Sequence, residues 1–131
     1  MNIDVIILEK EKGVFVVQVA GYADTKTYKI LEEKVEPLLN KSTRAIILDF
    51  KDLDYISSMG LRVVFKVKQE LVNNGATIAI TNLKPQVKKV FEAIKVLPEY
   101  YFSTMQEAEK YLDEFLADVQ QKEIDKQQEN N

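Results

Sequence analysis

The chain has 131 residues, a net charge of −3, and no cysteine, histidine or tryptophan. That length suits one domain with a single core. The missing residue types exclude disulfides, zinc–thiolate sites, thiol nucleophiles and any Ser-His-Asp or Cys-His mechanism, and the acidic balance gives no footprint for direct nucleic-acid binding.

The first residues, MNIDVIILEKEKG, show no basic start followed by a long apolar stretch, so no signal peptide is expected. No apolar run approaches membrane-spanning length. The expectation is a cytoplasmic protein without membrane insertion.

Residues 4–10 and 14–20 read as two β-branched strands, joined by a tight hairpin at Glu11, Lys12 and Gly13. Asp24 offers an N-cap for a first helix over 25–39, where Tyr28, Leu31, Val35 and Leu38 recur at helical spacing. Residues 44–50 form a buried strand, and 51–55 a polar loop. A second helix spans 61–74, closed by Asn73, Asn74 and Gly75. Residues 76–81 form another strand. Pro85 suits the first turn of a third helix with core face Val87, Val90, Phe91 and Ile94. Residues 100–102 read as a short edge strand. Thr104 and Glu107 form a capping box for a last helix striped with Met105, Ala108, Tyr111, Leu112 and Phe115. From Asp118 onward the chain is mostly Gln, Glu, Lys, Asp and Asn. The expected division is therefore a domain over 1–117 and a polar tail over 118–131, a frayed helix passing into disorder.

This element order predicts an α/β layer fold. Its sheet is mixed but mainly parallel, with four to five strands, an N-terminal hairpin, about four helices and right-handed crossovers.

The informative stretch follows the third strand, where Ile56-Ser57-Ser58-Met59-Gly60-Leu61 leads into the second helix. At about 100° per residue, Gly60, Val63, Val64, Val67 and Leu71 share the sheet-facing side, widened by Leu61, Phe65 and Val72. Ser58, Met59, Arg62 and Lys66 fall on the opposite side. Gly60 then lets the helix approach the sheet closely. Ser57 and Ser58 both suit an N-cap by type. A phosphate on Ser58 would sit at a helix N-terminus, whose free N–H groups and dipole favour anions.

Around that turn the chain resembles the STAS domain family, specifically anti-sigma factor antagonists. The resemblance lies in Leu48-Asp49-Phe50, then Ser57-Ser58-Met59-Gly60-Leu61, then Asn74-Gly75-Ala76 and Thr81-Asn82-Leu83-Lys84-Pro85-Gln86-Val87. Gly21-Tyr22-Ala23-Asp24 is similar to the family's turn before the first helix. The likeness covers about residues 4–116. Ser57 stands where the family often has Asp, and Met59 where it usually has a small residue.

The resemblance implies a STAS-like fold and a partner-switching regulator of transcription with no enzymatic activity and no cofactor. Ser58 maps onto the family's phosphoacceptor serine. The partner-binding residues would be Asp24, Ser57, Ser58, Met59, Gly60 and Arg62. The implied partner is an anti-sigma factor with serine kinase activity, bound when Ser58 is unphosphorylated and released by its phosphorylation. A serine phosphatase would reverse the switch, and the chain would act as a monomer or weak dimer. The alternative is a STAS scaffold subunit of a stress-signalling or lipid-transport assembly without a phospho-switch. For Asp24 the local reading is a helix cap, with partner contact as the functional one. Asp49, Asp52 and Asp54 lack the spacing of a calcium loop, so no metal site is expected. Tyr55 reads as a packed loop aromatic. Asn82 reads as satisfying backbone groups in its turn, and Lys84, Lys88 and Lys89 as a solvated basic face.

Overall fold

The computed structural model describes residues 2–93, 101–102 and 104–129. In chain order these form β1 (Ile3–Glu11), β2 (Val14–Ala23), α1 (Tyr28–Val35), β3 (Ala45–Asp49), β4 (Leu53–Ile56), α2 (Ser58–Asn73), β5 (Thr77–Thr81), α3 (Pro85–Ala93), β6 (Tyr101–Phe102) and α4 (Met105–Glu129). One turn of 3-10 helix at Glu36–Leu38 follows α1.

The strands lie in the order β1-β2-β3-β5-β6, with short β4 added beside β2. The β1–β2 hairpin is antiparallel and the remaining pairs are parallel. β3 and β5 are buried along their whole length, as expected for parallel strands covered on both faces. On one face Ile46, Leu48, Ile78 and Ile80 meet Val63, Val67 and Leu71 of α2, together with Val87 and Phe91 of α3. On the other, Val14, Val16, Ala45, Ile47 and Ala79 meet Ala108 and Leu112 of α4. The alanines there let the helix lie close to the strands.

Five local readings change. The first helix begins at Tyr28 rather than Thr25, because residues 24–27 close a separate turn in which the Tyr28 N–H already bonds to the Asp24 carbonyl at 2.9 Å. It tightens to 3-10 geometry around Pro37, which lacks the N–H needed to continue an α-helix. The polar loop after β3 contains β4, and α2 starts at Ser58, three residues before Leu61. Val72 is 51% exposed rather than part of the buried stripe; it sits in the last turn, rotated away from Leu71 and the sheet.

The tail is helical as far as Glu129. Past Asp118 its described side chains are exposed, apart from half-buried Val119. Thr104 Oγ1 accepts the Glu107 N–H at 3.2 Å, as its capping role requires. Ile94 and Tyr100, placed in a helix face and an edge strand from the sequence, lie outside the described residues.

Candidate functional site

The site is built where β2 and β4 end side by side. Their parallel register pairs Ala23 with Ile56, so Asp24 and Ser57 are the next residues out on neighbouring strands. The Ser57 N–H completes this pairing by donating to the Ala23 carbonyl at 2.8 Å. Gly21, at φ 97°, permits the bend that carries β2 from β3 toward β4; the pairing register shifts immediately after it.

Ser57 has extended backbone, and its Oγ accepts the Gly60 N–H at 3.3 Å, so it is the N-cap of α2. Ser58 is then the first helical residue. Its side chain is exposed, and no hydrogen bond engages its hydroxyl among the described residues. The cap and the free hydroxyl are therefore divided between the two serines.

Gly60 fixes how closely this tip sits on the sheet. A Cβ at that position would lie 2.7 Å from the Ala23 carbonyl oxygen and 2.8 Å from Ile56 Cγ1. Only hydrogen fits there, and Gly60 is buried as the wheel requires. Arg62 and Lys66 are exposed on the outer side, with Lys66 3.7 Å from Glu32 of α1. Met59 is half-buried, less open than the helical wheel suggests.

Asp24 does not cap α1 itself. Its Oδ1 accepts the N–H groups of Lys26 at 2.8 Å and Thr27 at 3.1 Å, while its own N–H donates to Thr27 Oγ1 at 2.9 Å. The Thr27 hydroxyl in turn donates to the Tyr22 carbonyl. The Lys26 N–H, helped by Thr27, holds the Asp24 carboxyl below its ordinary range. A fixed anion thus adjoins the serine turn.

Several residues around the site were not found by local reading. Tyr22 lies across from Tyr55, with ring centroids 6.2 Å apart, and Tyr55 is 45% exposed rather than packed away. Lys84 is not part of a purely solvated face: it pairs with Asp54 of β4, whose carboxylate raises its pKa. Asn82, in the left-handed region at φ 63°, donates from Nδ2 to Asp49 Oδ1 at 3.1 Å. It joins the ends of β3 and β5 rather than serving only its own turn. Asp49 also accepts the Lys51 N–H, and is buried. The partners in the Lys84 and Asn82 contacts are 30 and 33 residues apart in sequence, beyond the reach of any local motif.

Among the described residues, no three acidic, cysteine or histidine side chains cluster to hold a metal ion. No described helix is long and apolar enough to cross a membrane.

Residues 5–109 match the STAS domain family. BtrV of Bordetella bronchiseptica, assigned as an anti-sigma factor antagonist, is 31% identical over 103 residues, covering 79% of this chain and 89% of its own. The anti-sigma-B factor antagonist of Bacillus subtilis is 28% identical over 92 residues, covering 70% and 83%. Among solved structures, the anti-sigma factor antagonist SpoIIAA in its unphosphorylated form shares the fold with a TM-score of 0.74. That match covers 84% of this chain and 96% of the other at 20% identity.

Proposed function

Because the chain belongs to the STAS domain family, we propose that it is an anti-sigma factor antagonist whose docking surface is the α2 tip, and that phosphorylation of Ser58 ends the docking. The unphosphorylated protein binds an anti-sigma factor with serine kinase activity in the cytoplasm and so frees a sigma factor. A serine phosphatase resets it. The surface comprises Ser57, Ser58, Met59 and Arg62 on α2, Gly60 beneath them, and Asp24 on the neighbouring strand end.

The observation that carries this reading is the division of labour between Ser57 and Ser58. Ser57 closes the helix end, so the exposed Ser58 hydroxyl can be modified without removing a structural bond. A phosphoryl group there adds about −1.5 to −2 charges. The helix dipole tolerates that charge, so the fold persists. A partner packed on the tip meets added bulk, charge and desolvation, and leaves. Asp24, already ionised at the adjacent turn, adds to the local negative potential.

The test is to incubate the protein with its anti-sigma factor kinase and ATP, then map the phosphate. It should land on Ser58, and Ser58→Ala should bind without being modified. Ser58→Glu should weaken the complex about tenfold or more, equivalent to about 1.4 kcal/mol. Phosphate elsewhere, with Ser58→Ala still a substrate, would overturn the switch. A stoichiometric complex indifferent to Ser58→Asp would favour the scaffold alternative.

A further inference from the structure

β1 is an edge of the sheet, with β2 on one side and no strand on the other among the described residues. Its centre is an uninterrupted apolar run, Val5-Ile6-Ile7-Leu8. Val5 and Ile7 pack against the main core. Ile6 and Leu8 point to the opposite face, where they are 54% and 48% exposed. On that face α4 packs over β3 and β5 and reaches β1 through an ion pair between Lys10 and Glu109. Edge strands are normally protected by charges, bulges or a covering element. Here the irregularity lies between Glu9 and Glu11 and the charges lie at Asp4 and beyond Leu8, so the outer backbone edge of the four central residues has none of these protections.

We propose that the free edge of β1 pairs antiparallel with β1 of a second copy, about a two-fold axis at Ile7, extending the sheet through both molecules. The sequence of the strand favours this occupant and this register. Residues directly opposite in an antiparallel pair point to the same face, so a self-pairing axis must pass through a residue. With the axis at Ile7, Ile6 meets Leu8 of the second copy and Leu8 meets its Ile6, which closes both exposed apolar sites. Asp4 then comes near Lys10 of the second copy, at the bulge where that lysine also pairs with Glu109, so opposite charges approach each other at both ends. On the other face Val5 comes opposite Glu9. An axis at Ile6 would set Asp4 against Leu8, Glu9 against Ile3 and Lys10 against Asn2, and so would pair no opposite charges. The α2 tip lies toward β4, on the other side of β2 from this edge. The dimer therefore leaves two switch surfaces free.

Sedimentation of the full chain from about 5 to about 500 µM, where small transient interfaces dissociate, should show a monomer–dimer equilibrium. Asp4→Lys or Lys10→Glu alone should raise the dimer dissociation constant about tenfold, since two like-charge contacts replace two opposite ones. The double exchange should return it to near the parent value. The chain has no native cysteine, so Ile7→Cys provides an independent check. Across the axis the two Cα atoms would lie about 4.5–5.5 Å apart, within disulfide range. The Val5→Cys pair would be about 14 Å apart. Under mild oxidation Ile7→Cys should form a covalent dimer and Val5→Cys should not. A chain that stays monomeric throughout would overturn the proposal. So would a dimer whose charge exchange does not restore affinity, or one in which Val5→Cys cross-links as readily as Ile7→Cys.

Discussion

At the scale of single residues, the α2 tip depends on a hydrogen atom, a hydroxyl and a carboxylate. Gly60→Ala gains about 1 kcal/mol of helix propensity. Against that, its Cβ meets the Ala23 carbonyl at a packed strand end, and overpacking of this kind typically costs about 1–3 kcal/mol. The urea midpoint should fall; a midpoint at or above the parent's would show that the tip can lift without cost. Ser57→Ala removes the cap and should lower stability by about 1 kcal/mol, whereas Ser58→Ala should leave the midpoint nearly unchanged. Equal losses at both serines would contradict the division of labour between them. Asp24 makes a pH prediction. Its folded pKa is depressed, so its stabilising contribution is present above the unfolded value of 3.8 and fades as pH falls through the lower folded value. Asp24→Asn should therefore be less stable than the parent at neutral pH. The gap should close in acid, which thermal melts between neutral pH and below about pH 4 would reveal.

At the scale of elements, the strand ends on the switch side are tied together by side chains rather than by backbone alone. Asp49 accepts both the Lys51 N–H and the Asn82 amide, which fixes the turn leading into β4 against the turn leading into α3. Asp49→Ala leaves those donors without their buried acceptor and should cost about 1–3 kcal/mol. Because β4 carries Ile56 to Ala23, the same variant should weaken partner binding even though Asp49 touches no proposed docking residue. A binding constant that stays fixed while stability falls would show that β4 is held by its own pairing alone. The Lys84–Asp54 pair joins the start of α3 to β4 from the other direction.

For the whole molecule, α4 has two unlike halves. Ala108 and Leu112 close the second core cluster, and Tyr111 meets the Thr77 hydroxyl at 2.8 Å. Beyond Gln120 the described side chains are all exposed. Leu112→Ala should cost about 2–5 kcal/mol. Truncation after Gln120 should shift thermal unfolding only slightly; a large drop would assign the distal turns a packing role that their exposure does not indicate.

The alternation of strands and helices, the inward face of α2 with Gly60 on it, the capping chemistry of Ser57 and Thr104, and the solvent-facing position of Ser58 were all legible from the sequence. They depend on periodicity and hydrogen bonds spanning only a few residues. Tertiary structure alone decided that residues 53–56 form a strand, because their partner is the end of β2, more than thirty positions away. It also set the locally closed Asp24 turn beside the serine tip, paired Asn82 with Asp49 and Lys84 with Asp54, and left Val72 facing outward. For residues 53–56, Asn82 and Lys84 a contact distant in sequence outweighed the local preference, and no local pattern of charge or hydrophobicity carries information about which distant segment will arrive.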